Sequence, residues 1–135
     1  MVKSGDESLA TLDVASIDLF TGRLESFKAG ASVSLLRSKG IVSRMERSSL
    51  PVGILTAVEF EKSSIKLSDG DLVVMVSDGA TACGSDWILS VLDHFAADGN
   101  LQALCDDIAS TARLRRNDNH DDDITVCACR VRKGD

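Results

Sequence analysis

The sequence predicts an α+β fold: antiparallel strands joined by short turns, two packed helices and a closing strand, rather than a parallel sheet wound through alternating helices. Three observations carry this. Strand-like segments punctuated by turn residues fill the first half of the chain. An unbroken apolar run, LVVMV at 72–76, sits between turn residues, as a strand buried on both faces does. Two segments of helical periodicity then follow back to back before a last apolar run at 124–131.

In chain order, residues 1–8 (MVKSGDES) are polar and predict a frayed start. Residues 9–19 and 23–29 predict two strands of a hairpin around Thr21-Gly22. Residues 32–37 (SVSLLR) predict a third strand, ended by Lys39-Gly40. Residues 43–50 are polar and ambiguous, and Pro51-Val52-Gly53 is a break. Residues 58–67 place Val58, Phe60, Ile65 and Leu67 in an alternating pattern, and Asp69-Gly70 signals a short hairpin into the 71–76 strand. Over 85–97, Trp87, Ile88, Val91, Leu92 and Phe95 recur at helical spacing, with Ser85 as N-cap and Gly99 as the stop. Over 100–116, Leu101, Leu104, Ile108 and Leu114 repeat the pattern. The basic end of that segment, with Arg113, Arg115 and Arg116, suits the negative end of a helix dipole.

The length of 135 residues fits one domain or part of one, and 44% hydrophobic with 27% charged residues is a globular balance. Fifteen Lys and Arg against 21 Asp and Glu give a net charge of −6. That leaves no basic footprint for nucleic acid, which is excluded as a partner. The four cysteines, Cys83, Cys105, Cys127 and Cys129, form no C-x-x-C pair, and Cys127 and Cys129 alternate along one strand. They read as reduced thiols of a cytoplasmic protein. The longest apolar run is far short of the roughly 18 residues a membrane span needs. A membrane anchor of any parent protein would lie outside this chain.

Two acidic points stand at the ends of apolar strands: Ser77-Asp78-Gly79 after LVVMV, and Asp121-Asp122-Asp123 before ITVCACRV. Carboxylates held at a sheet end suit a hard divalent cation, because Mg²⁺ and Mn²⁺ favour oxygen ligands and retain several waters. On spacing alone the alternatives stand beside this: Asp-Gly is a common turn, and an acidic run is commonly a solvated loop. The run is not an EF-hand, lacking the central glycine and final glutamate. His94 falls on the polar side of a helix, and His120 reads as solvent-facing. No nucleophile elbow or phosphate-cradling glycine loop is present, so no catalytic side chain is assigned beyond metal ligands.

DGDLVVMVSDGATA (69–82) resembles the central signature of the metal-dependent serine/threonine protein phosphatases of the type 2C class. DDDITVCACRV (121–131) resembles their closing signature. Upstream, residues 9–40 and 48–71, with their hairpin, Ala-Gly turn and Leu-Pro-x-Gly segment, resemble the bacterial sporulation stage II protein E branch. The resemblance implies part of an αββα sandwich, with Asp78 and Asp122 as metal ligands. Gly79 would permit the turn that aims Asp78, and Asp123 would be a neighbouring support.

The resemblance also implies Mn²⁺ or Mg²⁺, two or more ions in a complete domain, and a phosphorylated protein substrate of the anti-anti-sigma regulator type. The family's earlier Gly-Asp-Gly, whose aspartate bridges two metals, is not matched: Gly5-Asp6 is followed by Glu7 with no strand before it. Residues 9–133 are therefore expected to be the carboxyl-terminal portion of a single phosphatase domain. Alone, it is expected to bind metal weakly and to be inactive, with exposed strand edges that favour a homodimer. The alternatives are a non-catalytic regulatory or dimerisation module, with residues 43–55 as its contact surface, and a simple cation-binding domain.

Overall fold

Seven strands, a 3₁₀ turn and two helices are present in the computed structural model, which describes residues 12–29, 33–45, 61–81, 84–115 and 123–133. In order they are β1 (Leu12–Ile17), β2 (Arg23–Ala29), β3 (Val33–Ser38), β4 (Ile41–Arg44), β5 (Glu61–Lys66), β6 (Leu72–Val76), the 3₁₀ turn (Asp78–Thr81), α1 (Asp86–His94), α2 (Leu101–Arg115) and β7 (Val126–Arg130). The α+β class with antiparallel strands and two helices is borne out. Residues 1–8, and the Pro51-Val52-Gly53 break, lie outside the described residues.

β1, β2 and β5 form a three-stranded antiparallel sheet in the order β1-β2-β5. The β1–β2 hairpin is closed by local chemistry. The Asp18 carboxylate accepts from the backbone N–H of Phe20 (2.8 Å) and Thr21 (3.2 Å). Gly22 then turns the chain at φ +76°, where a side chain would also meet the Leu67 carbonyl oxygen at 3.0 Å. Leu19 and Phe20 stand almost fully exposed at the tip.

The second unit holds the other four strands, in the order β4-β3-β6-β7, again all antiparallel, together with both helices. β6 lies between two paired neighbours, which is why it is apolar throughout. Leu72, Val74 and Val76 alternate onto the face that also carries Val33 and Leu35, and this face packs against Ala80, Ile88, Leu92, Leu104, Ile108 and Ala112. Burying each large aliphatic side chain of this cluster contributes roughly 1.5–3 kcal/mol.

Four expectations change. β4 forms where the sequence shows no strand pattern, and its Ile41 is largely exposed. Asp69-Gly70 does make a turn, with Gly70 at φ +89°. However, β5 and β6 belong to different sheets, so it closes no hairpin. Instead the Asp71 carboxylate, 2% exposed, accepts from Ser68 N–H (2.8 Å) and Ser38 Oγ (2.9 Å), tying the chain to the end of β3.

α1 ends at His94, short of the Gly99 stop. Arg37 donates to the carbonyls of Leu92 (2.7 Å) and Phe95 (2.6 Å), and Arg130 donates to those of Ala97 and Gly99. Both guanidinium groups lie over the Phe95 ring, so cations of the sheet take the carbonyls a longer helix would use. Gly99 serves this packing: a Cβ there would lie 2.6 Å from the Phe95 ring. On α2, Leu114 is 82% exposed, whereas Ala112 completes the buried 104–108–112 line.

Candidate metal centre

Asp78 lies two residues beyond the end of the buried strand β6, with Ser77 between them. It opens the 3₁₀ turn, in which Ala80 N–H donates to Ser77 O (3.0 Å) and Thr81 Oγ1 donates to Asp78 O (3.3 Å). Gly79 and Ala80 are buried beneath the turn, and the Asp78 side chain is exposed at the sheet end. Gly79 is not among the glycines with left-handed backbone, which are Gly22, Gly40, Gly70 and Gly84. It occupies a buried place in the turn that Asp78 opens.

The β6–β7 ladder runs from Leu72↔Arg130 to Val76↔Val126, and Ser77 extends it by one side chain. Its N–H donates to Thr125 O (3.0 Å). Its hydroxyl accepts from Thr125 N–H (2.9 Å) and donates to Asp123 O (3.2 Å). This clamp brings the segment entering β7 to the same sheet end as Asp78. Asp123 is exposed and is held through its carbonyl. Asp121, Asp122 and His120 lie outside the described residues. His94 is exposed on α1, where its Nδ1 lies 2.8 Å from Ser90 O.

Among the described residues, no group of three or more His, Cys, Asp or Glu side chains is placed to hold a metal ion. The carboxylates described at this sheet end, those of exposed Asp78 and Asp123, are hard oxygens of the kind that suits Mg²⁺ or Mn²⁺. The described set fits such an ion in kind and falls short of it in number. Ser77 was within reach of sequence reasoning, since a serine precedes the Asp-Gly and a threonine follows the Asp-Asp-Ile. The signal that it joins the two motifs is only in the pairing of β6 with β7.

Two concavities lie elsewhere. An open groove of about 880 Å³ runs between α1 and α2, lined by Val91, Phe95, Ala103, Leu104, Asp106 and Asp107 among others. A smaller one of about 340 Å³ lies at the opposite end of β6 from Asp78, near Arg37, Lys39, Asp69 and Asp71. Neither is lined by Asp78. The larger volume does not mark the chemistry, because an ion coordinated mainly by water needs carboxylates at a surface rather than an enclosed cavity.

The cysteines that fall within the described residues, Cys105, Cys127 and Cys129, are free thiols. Burial pushes the Cys105 thiol up from its ordinary pKa, helped by nearby Cys127 and Asp106 and opposed by a hydrogen bond from the Ala128 backbone. No helix among the described residues is long and apolar enough to cross a membrane.

Comparison with known proteins places this arrangement. Residues 1–132 match the family described as stage II sporulation protein E (SpoIIE). The stage II sporulation protein E of Bacillus subtilis (strain 168) is 35% identical over 78 residues, 58% of this chain and 9% of that protein. That of Priestia megaterium is 32% identical over 78 residues, 13% of its length. The chain thus spans a small part of the curated relatives it matches.

A solved structure of the phosphatase domain of the cell fate determinant SpoIIE from Bacillus subtilis has a TM-score of 0.74 at 28% identity. It covers 93% of this chain and 57% of that one. The serine/threonine phosphatase PstP/Ppp of Mycobacterium tuberculosis has a TM-score of 0.73 at 18% identity, covering 91% of this chain and 60% of that one, and shares the fold. The α+β fold is that of part of a type 2C phosphatase domain.

Proposed function

We propose, from the premise that this chain belongs to the stage II sporulation protein E (SpoIIE) family, that it forms part of a metal-dependent serine/threonine protein phosphatase. In this reading Asp78 and Asp122 are metal ligands, supported by Gly79 and Asp123. The observation that carries the reading is the Ser77 clamp, which holds the turn bearing Asp78 and the residue after Asp122 at one end of the sheet.

A bound Mn²⁺ or Mg²⁺ would supply a water nucleophile at neutral pH and neutralise phosphate charge. The chain's own part is positioning. β6 is buried and paired on both sides, so Asp78 projects from a rigid support. The buried Gly79 and Ala80 anchor the turn from below. The hydrogen bonds of Ser77 keep the entry to β7 from drifting away from it.

The substrate class is a phosphoserine or phosphothreonine protein in the cytoplasm, a regulator of the anti-anti-sigma type; this follows from the resemblance. A site of two carboxylates leaves most of the coordination to water and substrate. The isolated chain is therefore expected to bind metal weakly and to turn over little phosphopeptide. The test is Asp78→Asn in a protein carrying a full phosphatase domain of this type. The reading expects Mn²⁺-dependent phosphopeptide hydrolysis to fall about 100-fold or more, with thermal stability kept, since even residues behind metal ligands cost roughly 10–100-fold. Unchanged hydrolysis would favour the second reading, a non-catalytic regulatory module.

A further inference from the structure

Two features of α2 are unused by the phosphatase reading, and each supplies what the other lacks. Leu114 is 82% exposed near the carboxyl end of the helix, beside exposed Arg113. Nearer its start, the groove against α1 has apolar Val91, Phe95 and Leu104 in its lining, with Asp106 and Asp107 on the rim and no Lys or Arg among its lining residues. Ala103, Asp107, Ser110 and Leu114 follow one another at spacings of four, three and four residues, which places them on a single stripe of the helix. Both features therefore lie along one face, the carboxylates toward its start and the guanidinium and leucine toward its end.

We propose that this face docks a second copy of the chain, α2 against α2 in antiparallel orientation about a twofold axis at Ser110. A twofold contact is isologous, so each element meets its complement twice. With Ser110 facing its own copy, Asp107 faces the partner's Arg113, and the partner's Leu114 arrives beside Asp106, over the apolar groove. Ala103 and Ser110 are small enough for a close approach of the two helices. α2 has 15 residues, a length of roughly 22 Å. A contact of that size is smaller than a standard protein interface, which sets the expected affinity in the micromolar range. This surface is distinct from the sheet edges β1, β5, β4 and β7.

Sedimentation velocity of this chain from about 1 to 200 μM tests the proposal. The wild type is expected to show a reversible monomer–dimer equilibrium. Leu114→Asp, Asp107→Arg and Arg113→Asp are each expected to weaken it at least about tenfold while leaving the circular dichroism unchanged, because each introduces a buried or like-charge mismatch on both sides of the twofold. Mixing the Asp107→Arg chain with the Arg113→Asp chain should restore association, since only the heterodimer then pairs opposite charges at both positions. A wild-type chain that stays monomeric overturns the proposal. So does a dimer indifferent to all three substitutions, which would point to the strand edges, and so does a failure of the mixture to associate.

Discussion

Replacing Ser77 by alanine removes the side chain that joins the two acidic motifs. The hydroxyl makes two hydrogen bonds, accepting from Thr125 N–H at 2.9 Å and donating to Asp123 O at 3.2 Å, while the Ser77 N–H to Thr125 O bond remains. Each lost bond is worth roughly 0.5–1.5 kcal/mol net. Thr125 and Asp123 are exposed, so water recovers part of this, and the expected loss is about 1 kcal/mol. For a chain of this length that is a fall in Tm of about 3 °C. The local consequence is sharper than the global one. The Thr125 amide loses its partner, and its hydrogen exchange should quicken about fivefold, the factor that 1 kcal/mol represents, while amides in the middle of β6 change little. Ser77→Thr keeps the hydroxyl and should stay close to wild type. An unchanged exchange rate at Thr125 in Ser77→Ala would refute the view that this hydroxyl holds the site together.

Other consequences follow from the same geometry. Gly22→Ala should cost about 1–2 kcal/mol from left-handed backbone alone, and more from the 3.0 Å approach to Leu67 O, read as a loss of chemical stability in urea. Leu92→Ala empties a fully buried core position and should cost about 2–5 kcal/mol. Leu114→Ala, measured at dilute concentration, should stay within about 0.5 kcal/mol, although both leucines sit in helices of similar pattern. Cys105 should react with iodoacetamide more slowly than the exposed Cys127 and Cys129, as peptide mapping would show. Burial keeps its thiol protonated to a higher pH in the fold than in the unfolded chain. The stability it contributes is therefore full below the ordinary value of 9.0 and is lost as pH rises through the higher folded value. Cys105→Ala should make the decline of stability above pH 9 shallower, about as far as that single thiol contributes.

Much of this was legible in the residues because the determining interactions are local. Thr21-Gly22 marked the first hairpin because Asp18 and Gly22 close it within five residues. LVVMV marked an interior strand because burial on both faces leaves no polar position. Asp78 was legible as a residue at a sheet end for the same reason: a strand's end can be read from where its apolar run stops. What failed depended on distant partners. Asp-Gly predicts a turn but not which strands pair, and β5 and β6 pair with β2 and with β3 and β7 instead. Nothing near Phe95 announces the end of α1, since the cations that take its carbonyls come from β3 and β7. β4 is stabilised by pairing with β3, through Leu35↔Arg44 to Ser38↔Ile41, and not by a pattern of its own. The Ser77 clamp belongs to the same class: its two motifs are 46 residues apart, and only the β6–β7 ladder brings them together.

Paramagnetic broadening by Mn²⁺ of the amide resonances of this chain tests the central claim most directly, because it locates a weakly held ion without requiring turnover. The account predicts that substoichiometric Mn²⁺ broadens amides of residues 77–81 and those entering β7 around 121–125, that Mg²⁺ in excess reverses it, and that Asp78→Asn abolishes it. Broadening centred instead on the Asp106 and Asp107 rim of the α1–α2 groove, or broadening at Ser77 to Thr81 that survives Asp78→Asn, would contradict it.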